Sequence, residues 1–384
     1  MRILQVIPFF SPKMGGSAQV AYQITRHLAE RGHEVTVVTS DYGTKEAQFP
    51  EGPFKVVFHP SVLACCGFYT TPDLIAWSQA NVRNFDVIHM HTVRTFQNAV
   101  VQHYAVRLQV PYILSAHGTL PIIVQRQLLK QAYDGLIGKS LLESARFVMA
   151  VSTAETEQYR IAGVLGNRIR LIYNGLDINE FLNLPTRGSF LRNFASITSI
   201  NGKSKMILFL GRIHKRKGIN YLIEAYSQLR LDQGDAVLVI VGPDDGELAN
   251  LKALRDRLNL QEKVWFLGPL YGQDKLAAFI DADVLVSPAV NEIFGLVPFE
   301  ALLCGTPVIV GDDCGTGELF SESKSGYLVR NGDIQQLANT ILYVLNNPAA
   351  ARQKVIAGQE FIRLKMNWNQ ISLEIEKLYQ DSVR

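Results

Sequence analysis

The amino-acid sequence predicts an α/β fold of two doubly wound parallel-sheet domains in tandem. Three observations support this prediction: a length of 384 residues, short apolar segments that alternate with helix-sized segments, and a polar interruption near the middle. One hydrophobic core rarely serves a chain of this length, so two domains of roughly 150–200 residues are expected. Apolar strands that alternate with helices are typical of a parallel sheet covered by helices on both faces.

Seven strand-like segments lie in the first half of the chain. In order they are RILQVIPF, HEVTVVTS, FKVVFHP, DVIHMHT, PYILSAH, RFVMAVS and RIRLIYNG. Helices are predicted between them at about 17–31, 72–83 and 96–108, followed by a long helix before RFVMAVS and a short one from Thr153. Ligands of such sheets bind beyond the carboxyl ends of the strands, so functional motifs should directly follow the strands.

Residues 174–204 interrupt the alternation. This segment is rich in polar and turn-forming residues and has no sustained periodicity, which predicts a domain linker. Six further strand-like segments follow it: KMILFLG, AVLVIVG, KVWFLG, DVLVSP, PVIVG and GYLV. Helices are predicted at the end of the chain, at about 334–346, 349–363 and 368–382.

Composition excludes several classes of protein. Hydrophobic residues at 47% and charged residues at 19% describe a soluble globular chain, and a net charge of +3 gives no reason to expect nucleic acid as a partner. No stretch reaches the ~18 apolar residues of a membrane span, and the N-terminus lacks the features of a signal peptide. Four cysteines without a CxxC pair predict reduced thiols and a cytoplasmic protein.

A glycine pair follows the first predicted strand. The segment SPKMGGS places Gly15 and Gly16 just before the first helix. Glycine lets backbone N–H groups approach a ligand, and a helix N-terminus favours an anion. The segment is not GxGxxG, so the dinucleotide fingerprint is absent, and a plain turn is the competing interpretation.

A basic motif follows the first strand of the second domain. In GRIHKRKG, Arg212, Lys215, Arg216 and Lys217 precede a helix that is predicted to begin near Gly218. Positive charges beside a helix N-terminus oppose the helix dipole, and a bound dianion would offset this. Arginine binds phosphate oxygens as a fork and lysine as a point charge, so the motif could hold a diphosphate. A solvated basic loop is the alternative.

Three histidines lie at predicted strand ends. His89 and His91 in VIHMHT are two residues apart, so they lie on one face of a strand and could bind zinc together with His117. Histidines satisfied by the backbone are the favoured interpretation, and no metal site is predicted. His117 ends a strand and precedes Gly118, which places it at the mouth of the sheet and indicates a functional role.

Two carboxylates lie in the apolar segment VNEIFGLVPFEALLCGTPVIV. A continuous helix would place Glu292 and Glu300 ~12 Å apart, beyond the ~5–9.5 Å between the acids of a glycosidase. Pro288 and Asn291 indicate a loop, and Pro298 is tolerated mainly in the first turn of a helix. Glu292 is therefore predicted in the loop and Glu300 in the first turns of the helix, in contact with different parts of one ligand.

These segments together resemble glycosyltransferase family 4, the group 1 retaining glycosyltransferases of the GT-B fold. The resemblance rests on GRIHKRKG and NEIFGLVPFEALLCGTPVI, with support from GG after the first strand, SAHG, VSTAETEQY, IYNGLDINEF, VGPDDGE and VWFLGPL. It implies two Rossmann-like domains that face each other across a cleft, residues 1–185 and 186–366. A C-terminal helix at about 367–384 would cross back onto the first domain.

The resemblance also implies an activity. The protein would move a sugar from a nucleotide-diphospho-sugar, a UDP- or GDP-sugar, to a hydroxyl of a carbohydrate or lipid-linked acceptor, in the polysaccharide or glycoconjugate synthesis of a bacterium or archaeon. Arg212 and Lys217 match the residues that neutralise the diphosphate. Glu300 matches the acid that binds the ribose hydroxyls, Glu292 the acid that binds the donor sugar, and His117 the histidine beside that sugar.

Further contacts to the donor are implied along the backbone, from Gly15, Gly16, Gly268, Leu270, Phe294, Gly295 and Leu296. The implied catalytic residues are His117, Arg212, Lys217 and Glu292. A departing diphosphate needs charge stabilisation, and Arg212, Lys217 and helix N-termini can supply it, so neither a metal nor a cofactor is expected. The scarcity of carboxylates near the anomeric carbon favours front-face transfer.

Three alternatives remain open. A nucleotide-sugar 2-epimerase has the same architecture but needs acid and base carboxylates near C2 of the sugar. A zinc hydrolase would use His89, His91 and His117, and a sugar-nucleotide sensor would bind without turnover. The sensor is disfavoured because Glu292 and His117 are both present.

The acceptor is not identified by these motifs. The segment LPIIVQRQLLKQAYDGLIGKSLLESA mixes apolar residues with Arg126, Lys130 and Lys139. It could rest on an anionic membrane, at the inner face, and meet a lipid-linked acceptor there. A core-packed helix with a solvated face is the favoured interpretation.

Overall fold

A computed structural model describes residues 1–10, 15–42, 52–65, 68–122, 127–194, 204–229, 235–313 and 315–384, with the backbone alone at residues 64 and 65. The chain divides into two compact units. Unit 1 comprises Met1–Gly175 and Trp368–Arg384, and unit 2 comprises Leu176–Asn367. The Leu176 N–H donates to Met366 O at 2.8 Å, so the beginning and the end of unit 2 are bonded to each other.

Unit 1 is built on a parallel sheet of seven strands in the described residues. The strands of this unit in chain order are β1 (Arg2–Val6), β2 (Glu34–Ser40), β3 (Lys55–His59), β4 (Leu63–Cys65), β5 (Phe68–Thr70), β6 (Val87–His91), β7 (Tyr112–Ser115), β8 (Phe147–Ala150) and β9 (Ile169–Leu171). The order across the sheet is β3-β2-β1-β6-β7-β8-β9, which confirms all seven predicted strands. The switch point lies between β1 and β6.

In the described part of unit 1, six α-helices accompany this sheet before the chain leaves the unit. They are α1 (Gly16–Glu30), α2 (Asp73–Asn81), α3 (Phe96–Arg107), α4 (Gln127–Tyr133), α5 (Lys139–Ser144) and α6 (Thr153–Ile161). Thr95 caps α3 by accepting from the Asn98 N–H, and Ser152 caps α6 by accepting from the Glu155 N–H. The long helix predicted before β8 is instead α4, a π-helical turn (Asp134–Gly138) and α5.

The predicted core-packed helix is divided, because α5 packs into the core of unit 1 through the fully buried Leu141 whereas α4 has no buried residue. Leu128 and Leu129 of α4 are 82% and 68% exposed, and Leu136 of the π-helical turn is 82% exposed. Helix α4 therefore contributes no leucine to the core of unit 1. Arg126, predicted beside it, lies outside the described residues. No helix within the described ranges combines the length and apolar character needed to cross a membrane.

Unit 2 contains a second parallel sheet. Its strands are β10 (Lys205–Leu210), β11 (Ala236–Val241), β12 (Val264–Phe266), β13 (Val284–Ser287), β14 (Val308–Gly311) and β15 (Tyr327–Val329). The order β12-β11-β10-β13-β14-β15 places a second switch point between β10 and β13. All six predicted strands are confirmed, and residues such as Ile207, Leu238 and Leu285 are fully buried along them.

The helices of unit 2 in chain order are α7 (Ser189–Asn193), α8 (Ile219–Ser227), α9 (Leu248–Arg257), α10 (Gly272–Asp281), α11 (Val297–Leu303), α12 (Gly315–Ser323), α13 (Ile334–Asn346) and α14 (Pro348–Lys365). The predicted linker thus contains a helix, α7. It is held by the buried Phe190 and by Asp281, whose carboxylate accepts from the N–H groups of Gly188 and Leu191. Residues 195–203 of the linker lie outside the described residues.

The last helix, α15 (Trp368–Val383), returns to unit 1. Trp368 is buried and stacks on His27 of α1, with ring centroids 5.7 Å apart. A Cβ at Gly175 would lie 2.6 Å from the Trp368 ring, so glycine is needed where the chain leaves the unit. Arg31 is ion-paired with Glu376 at the end of α1.

Candidate active site

The predicted site residues lie in both units, in the segments that connect parallel strands to the helices after them or at the beginning of those helices. Those of unit 2 are Arg212, Lys217, Gly268, Leu270, Glu292, Phe294, Gly295, Leu296 and Glu300. Those of unit 1 are Gly15, Gly16 and His117. Residues after β10 and β13 are neighbours at the switch point of unit 2, which is where ligands of doubly wound sheets bind.

The loops that follow β10, β11 and β12 are bonded to one another. The Gly242 N–H donates to Gly268 O at 2.8 Å, and the Ile213 N–H donates to Pro243 O at 2.8 Å. Gly242 has φ +152°, and a Cβ there would overlap Gly211 O. The close approach of the loops therefore requires glycine at this position.

Arg212 lies on the solvent side of these loops. Its side chain is 64% exposed and donates to Asp245 Oδ2 at 2.6 Å. The Asp245 N–H in turn donates to Ile213 O at 3.0 Å, so the carboxylate is held by the same loops. An exposed pair of this kind contributes ~0–1 kcal/mol, so a phosphate can compete for the guanidinium at little cost.

Lys217 ends a short 3-10 turn, Lys215–Lys217, that precedes α8. His214 caps this turn by accepting from the Arg216 N–H at 3.1 Å. Lys217 Nζ forms an ion pair with the Glu292 carboxylate, and both side chains are about one-fifth exposed (21% and 22%). The cation predicted to meet the phosphate and the acid predicted to meet the sugar are therefore in direct contact.

The contact between Lys217 and Glu292 is supported by the backbone. The Val290 N–H donates to Arg216 O at 2.8 Å, which joins the 3-10 turn to the loop after β13. Gly218 has φ +64°, and a Cβ there would overlap Pro288 O. Glycine at residue 218 thus lets the turn approach the loop.

Glu292 and Glu300 occupy the predicted elements. Glu292 lies in the loop before α11, and its carbonyl accepts from the Gly315 N–H at 2.9 Å. Pro298 lies in the first turn of α11, and so does Glu300. Phe294 stacks on the buried Phe299, with ring centroids 5.9 Å apart, which fixes the backbone of the loop.

Glu300 also has a lysine partner, which the sequence did not reveal. Lys275 Nζ, from the first turns of α10, donates to Glu300 Oε2 at 3.1 Å, and the side chains are 22% and 15% exposed. The sequence position of Lys275 could have indicated this contact, because α10 follows VWFLGPL, the segment expected near the base of the nucleotide. Neither carboxylate of the apolar segment is therefore an unpaired buried charge.

Gly15 and Gly16 lie at the beginning of α1. Gly15 is the N-cap of the helix and Gly16 is its first residue, and both are exposed. The first turn of α1 contains no acidic residue, so its N–H groups do not face a carboxylate of their own helix. Residues 11–14 of SPKMGGS lie outside the described residues.

His117 lies in a turn after β7 with two consecutive positive φ angles, +52° at His117 and +74° at Gly118. The turn is held from α6, where Glu155 is fully buried. Glu155 accepts from the Gly118 N–H at 2.6 Å through Oε1 and from the Val151 N–H at 2.9 Å through Oε2. Tyr159 adds a third bond, since its hydroxyl accepts from the Ala116 N–H at 2.8 Å.

Burial shifts the protonation of this turn. It lowers the pKa of His117 to about 4, so the ring is neutral at neutral pH. It raises the pKa of Glu155 to about 7, although the bonds from the Gly118 and Val151 N–H groups act in the opposite direction. The segment VSTAETEQY, which the resemblance includes, therefore supports the His117 turn.

The partners of His89 and His91 differ from the prediction. Both rings are fully buried, and they bond to side chains rather than to the backbone: Tyr379, Ser115, Gln5 and His117. Each ring uses both nitrogens in these bonds, which leaves neither for zinc. Among the described residues, no group of three or more His, Cys, Asp or Glu is arranged to hold a metal ion.

Comparison with known families gives two matches along the chain. Residues 192–360 match Glycosyl transferases group 1, and residues 14–180 match Glycosyltransferase Family 4. Between them the matches include all the predicted site residues. The first of these includes all six strands of the unit 2 sheet, and the second includes the strands of the unit 1 sheet other than β1.

Individual relatives align over nearly the whole chain. An uncharacterised glycosyltransferase of Methanocaldococcus jannaschii is 29% identical, over 99% of this chain and 98% of that protein. The phosphatidyl-myo-inositol mannosyltransferase of Mycobacterium leprae is 26% identical, over 99% of this chain and 96% of that protein. A crystal structure of Anabaena HepE in complex with UDP and glucose is similar with a TM-score of 0.79 and 22% identity, covering 99% of this chain and 100% of that one.

Proposed function

Because the chain belongs to the group 1 glycosyltransferases of family 4 and has the GT-B fold, we propose that it transfers a sugar from a nucleotide-diphospho-sugar to a hydroxyl acceptor with retention of configuration and without a metal ion. The observation that carries the proposal is the pairing of Lys217 with Glu292 at the switch point of unit 2, beside the exposed Arg212. The cations can neutralise a diphosphate, and the carboxylate can accept hydrogen bonds from the hydroxyls of a sugar.

The lysine pairs leave donors and acceptors for a ligand. An ammonium group has three N–H donors, so Lys217 can bond to Glu292 and to phosphate oxygens together. Glu292 uses Oε1 for Lys217, which leaves Oε2 for a hydroxyl of the sugar. Glu300 uses Oε2 for Lys275, which leaves Oε1 for a ribose hydroxyl.

We propose that Arg212 and Lys217 stabilise the negative charge of the leaving group. When the bond between the anomeric carbon and the β-phosphate oxygen breaks, negative charge develops on the diphosphate, and preorganised cations stabilise it. These two side chains can do so without a metal. In unit 1, we propose that His117 contacts a hydroxyl of the donor sugar and that Gly15 and Gly16 offer backbone N–H groups to its phosphate.

Retention is proposed to follow a front-face route. Glu292 and Glu300 each share an oxygen with a lysine, which suits them to bind hydroxyls rather than to attack the anomeric carbon. The acceptor oxygen would then bond to the anomeric carbon on the face that the diphosphate leaves. The acceptor proton would pass to the departing phosphate oxygen.

Relatives support the classes of donor and acceptor. The Anabaena structure contains UDP and glucose, and the Mycobacterium leprae relative is named as a mannosyltransferase of phosphatidyl-myo-inositol. A uridine donor and a hydroxyl-rich carbohydrate or lipid-linked acceptor are accordingly proposed. Contact with a membrane surface would suit the exposed Leu128, Leu129 and Leu136 if the acceptor is a lipid.

A donor screen tests the proposal first. UDP, GDP and ADP, and then UDP-glucose, UDP-N-acetylglucosamine, GDP-mannose and ADP-glucose, should be compared for the rise in melting temperature that a ligand of the native state produces. The best donor should then release its diphosphate with a panel of acceptors, unaffected by EDTA. Rapid C2 epimerisation of the donor alone would instead identify an epimerase.

The diphosphate site is tested by the double variant Arg212→Ala with Lys217→Ala. Transfer should be abolished while circular dichroism and gel filtration stay unchanged, because the leaving group loses both cations. Lys215→Ala is the matched control, since Lys215 belongs to the same 3-10 turn and is exposed. Undiminished transfer by the double variant would refute the assignment.

A further inference from the structure

Unit 1 contains a hydrogen-bonded network of six side chains for which the proposed function gives no role beyond His117. Its members are Gln5, His89, His91, Ser115, His117 and Tyr379. All are fully buried except His117, which is partly exposed. The network connects β1, β6 and β7 with α15, and its one partly exposed member is the histidine proposed to meet the sugar.

The protons of one branch can be assigned from Gln5 outwards. Gln5 Oε1 can only accept, so the His91 Nε2 at 2.6 Å must carry a proton and donate it. Burial lowers the pKa of His91 well below its usual value, so the ring is neutral and has a single N–H. His91 Nδ1 is then an acceptor, and His117 Nε2, at 2.9 Å, must donate to it.

The other branch is consistent with this orientation of the Gln5 amide. Gln5 Nε2 donates to the Tyr379 hydroxyl oxygen at 3.1 Å. The Tyr379 hydroxyl can therefore give its own proton to His89 Nδ1 at 2.6 Å, and His89 Nε2 donates to Ser115 Oγ at 2.7 Å. Each of the five hydrogen bonds in this arrangement has one donor and one acceptor, so the two branches agree.

We infer that Gln5 and Tyr379 are positioning residues that hold His117 in the tautomer with its proton on Nε2, so that Nδ1 accepts a hydrogen bond from a hydroxyl of the donor sugar. The inference rests on the proposed function, which gives His117 the contact with the sugar. Nδ1 makes no other hydrogen bond among the described residues. A nitrogen restricted to accepting discriminates against a sugar that lacks the donating hydroxyl, because the hydrogen bond to that nitrogen is then lost.

Nuclear magnetic resonance measures the tautomer without any ligand. The full chain would be labelled with 15N-histidine, and long-range 1H–15N correlation would show which ring nitrogen carries the proton. His91 and His117 should both be protonated at Nε2 and unprotonated at Nδ1, with signals assigned through His91→Gln and His117→Gln. A proton on Nδ1 of His117 would overturn the inference.

Variants of Gln5 connect the tautomer to activity. Gln5→Met removes the amide at similar size, so His117 should become a mixture of tautomers and kcat/KM should fall by about tenfold. The rate measured is diphosphate release from whichever of the four nucleotide-sugars raises the melting temperature most. Gln5→Glu keeps the accepting oxygen and should restore much of the loss. Tyr379→Phe, which frees the Gln5 amide to rotate, tests the same point should Gln5→Met not fold.

Ser115→Ala is the matched control. It also deletes one buried hydrogen bond, but on the His89 branch, so the tautomer of His117 should be retained and kcat/KM should change little. Equal losses in Ser115→Ala and Gln5→Met would mean that the network acts through stability alone, and would overturn the inference.

His117→Ala separates this inference from the proposed function. Full activity of His117→Ala would refute the sugar contact and, with it, the inference. Loss of activity in His117→Ala, together with an unchanged tautomer and kcat/KM in Gln5→Met, would overturn the inference and leave the proposed function intact. The inference is supported when His117→Ala and Gln5→Met both lose kcat/KM and Gln5→Glu recovers it.

Discussion

Each glutamate of NEIFGLVPFE shares its carboxylate with a lysine from a different element. Lys217 comes from the turn before α8 and Lys275 from α10, while Glu292 and Glu300 lie on either side of the beginning of α11. A lysine that holds one oxygen orients the other, and the charge-assisted bond limits rotation of the carboxylate. The half-buried acids are therefore positioned before a ligand arrives, which lowers the entropy cost of binding it.

Lys275→Met should weaken nucleotide binding. Glu300 would keep its position in α11 but lose the bond that orients its carboxylate, and bonds to charged groups contribute about 1.5–3 kcal/mol. The dissociation constant of UDP, measured by calorimetry, should rise by about tenfold or more. Lys275 is proposed to act through Glu300, so Lys275→Met combined with Glu300→Gln should be little worse than Glu300→Gln alone.

Lys263→Met provides the control for Lys275. Lys263 is ion-paired with Asp235 in the same unit, but the side chains are 40% and 55% exposed. Such a pair contributes little, so the variant should bind UDP as the unmodified chain does. Equal weakening by Lys263→Met and Lys275→Met would show a general effect of charge and count against the role of Lys275.

At the scale of residues, the sequence indicated which residues follow the strands but not which side chains bond to each other. The rule that ligands bind beyond parallel strands placed Arg212, Lys217 and Glu292 near one switch point. It could not find Gln5 and Tyr379, which bond to each other although they are 374 positions apart in the chain. The two residues meet only because α15 packs in unit 1, and no local sequence pattern predicts that contact.

At the scale of elements, the loops after β10, β11 and β12 behave as one structure because they bond to one another. Gly242→Ala should disrupt this structure, since its Cβ would overlap Gly211 O and the backbone has φ +152°. The free energy of unfolding in urea should fall by about 2–4 kcal/mol. UDP affinity should fall as well, because Arg212 and Gly268 lie in the same loops.

Gly246→Ala is the matched control for Gly242→Ala. Gly246 also has a positive φ, +93°, but nothing lies within 4 Å of the position of its Cβ. The free energy of unfolding of Gly246→Ala should therefore fall by only about 1 kcal/mol, because of backbone strain, and the variant should retain UDP affinity. Equal losses in the two variants would contradict the importance of the close approach at Gly242.

The elements that were predicted are those that belong to the alternation of parallel strands and helices. Every strand of the two large sheets was found, because strands of parallel sheets form short apolar runs between helix-sized segments. The β4–β5 hairpin lies outside these sheets and α7 depends on the tertiary contact of Asp281 with the Leu191 N–H, so the alternation did not indicate either. The π-helical turn after α4 likewise has no signature in the 3.6-residue period.

At the scale of the whole molecule, the balance of buried titratable groups sets the response to acid. Burial lowers the pKa of His89 to about 3 and of His117 to about 4, and it also lowers that of His91. Between pH 6.5 and about 4, the unfolded chain therefore binds protons that the folded chain does not, and stability falls as pH falls. Glu155, with a pKa raised to about 7, has the opposite sign between pH 7 and 4.5.

These three histidines act against one glutamate in this range, and His33, whose pKa is also lowered by burial, acts with them, so the net prediction is acid lability. The free energy of unfolding in urea should fall by about 1–3 kcal/mol per pH unit from pH 6.5 to 4.5, because each unmatched proton contributes up to about 1.4 kcal/mol per unit. His89→Gln removes one histidine and should make the dependence shallower, whereas Glu155→Gln removes the opposing group and should make it steeper. Slopes that move in the same direction in both variants would contradict this account, since histidine and glutamate would then not be titrating with opposite signs.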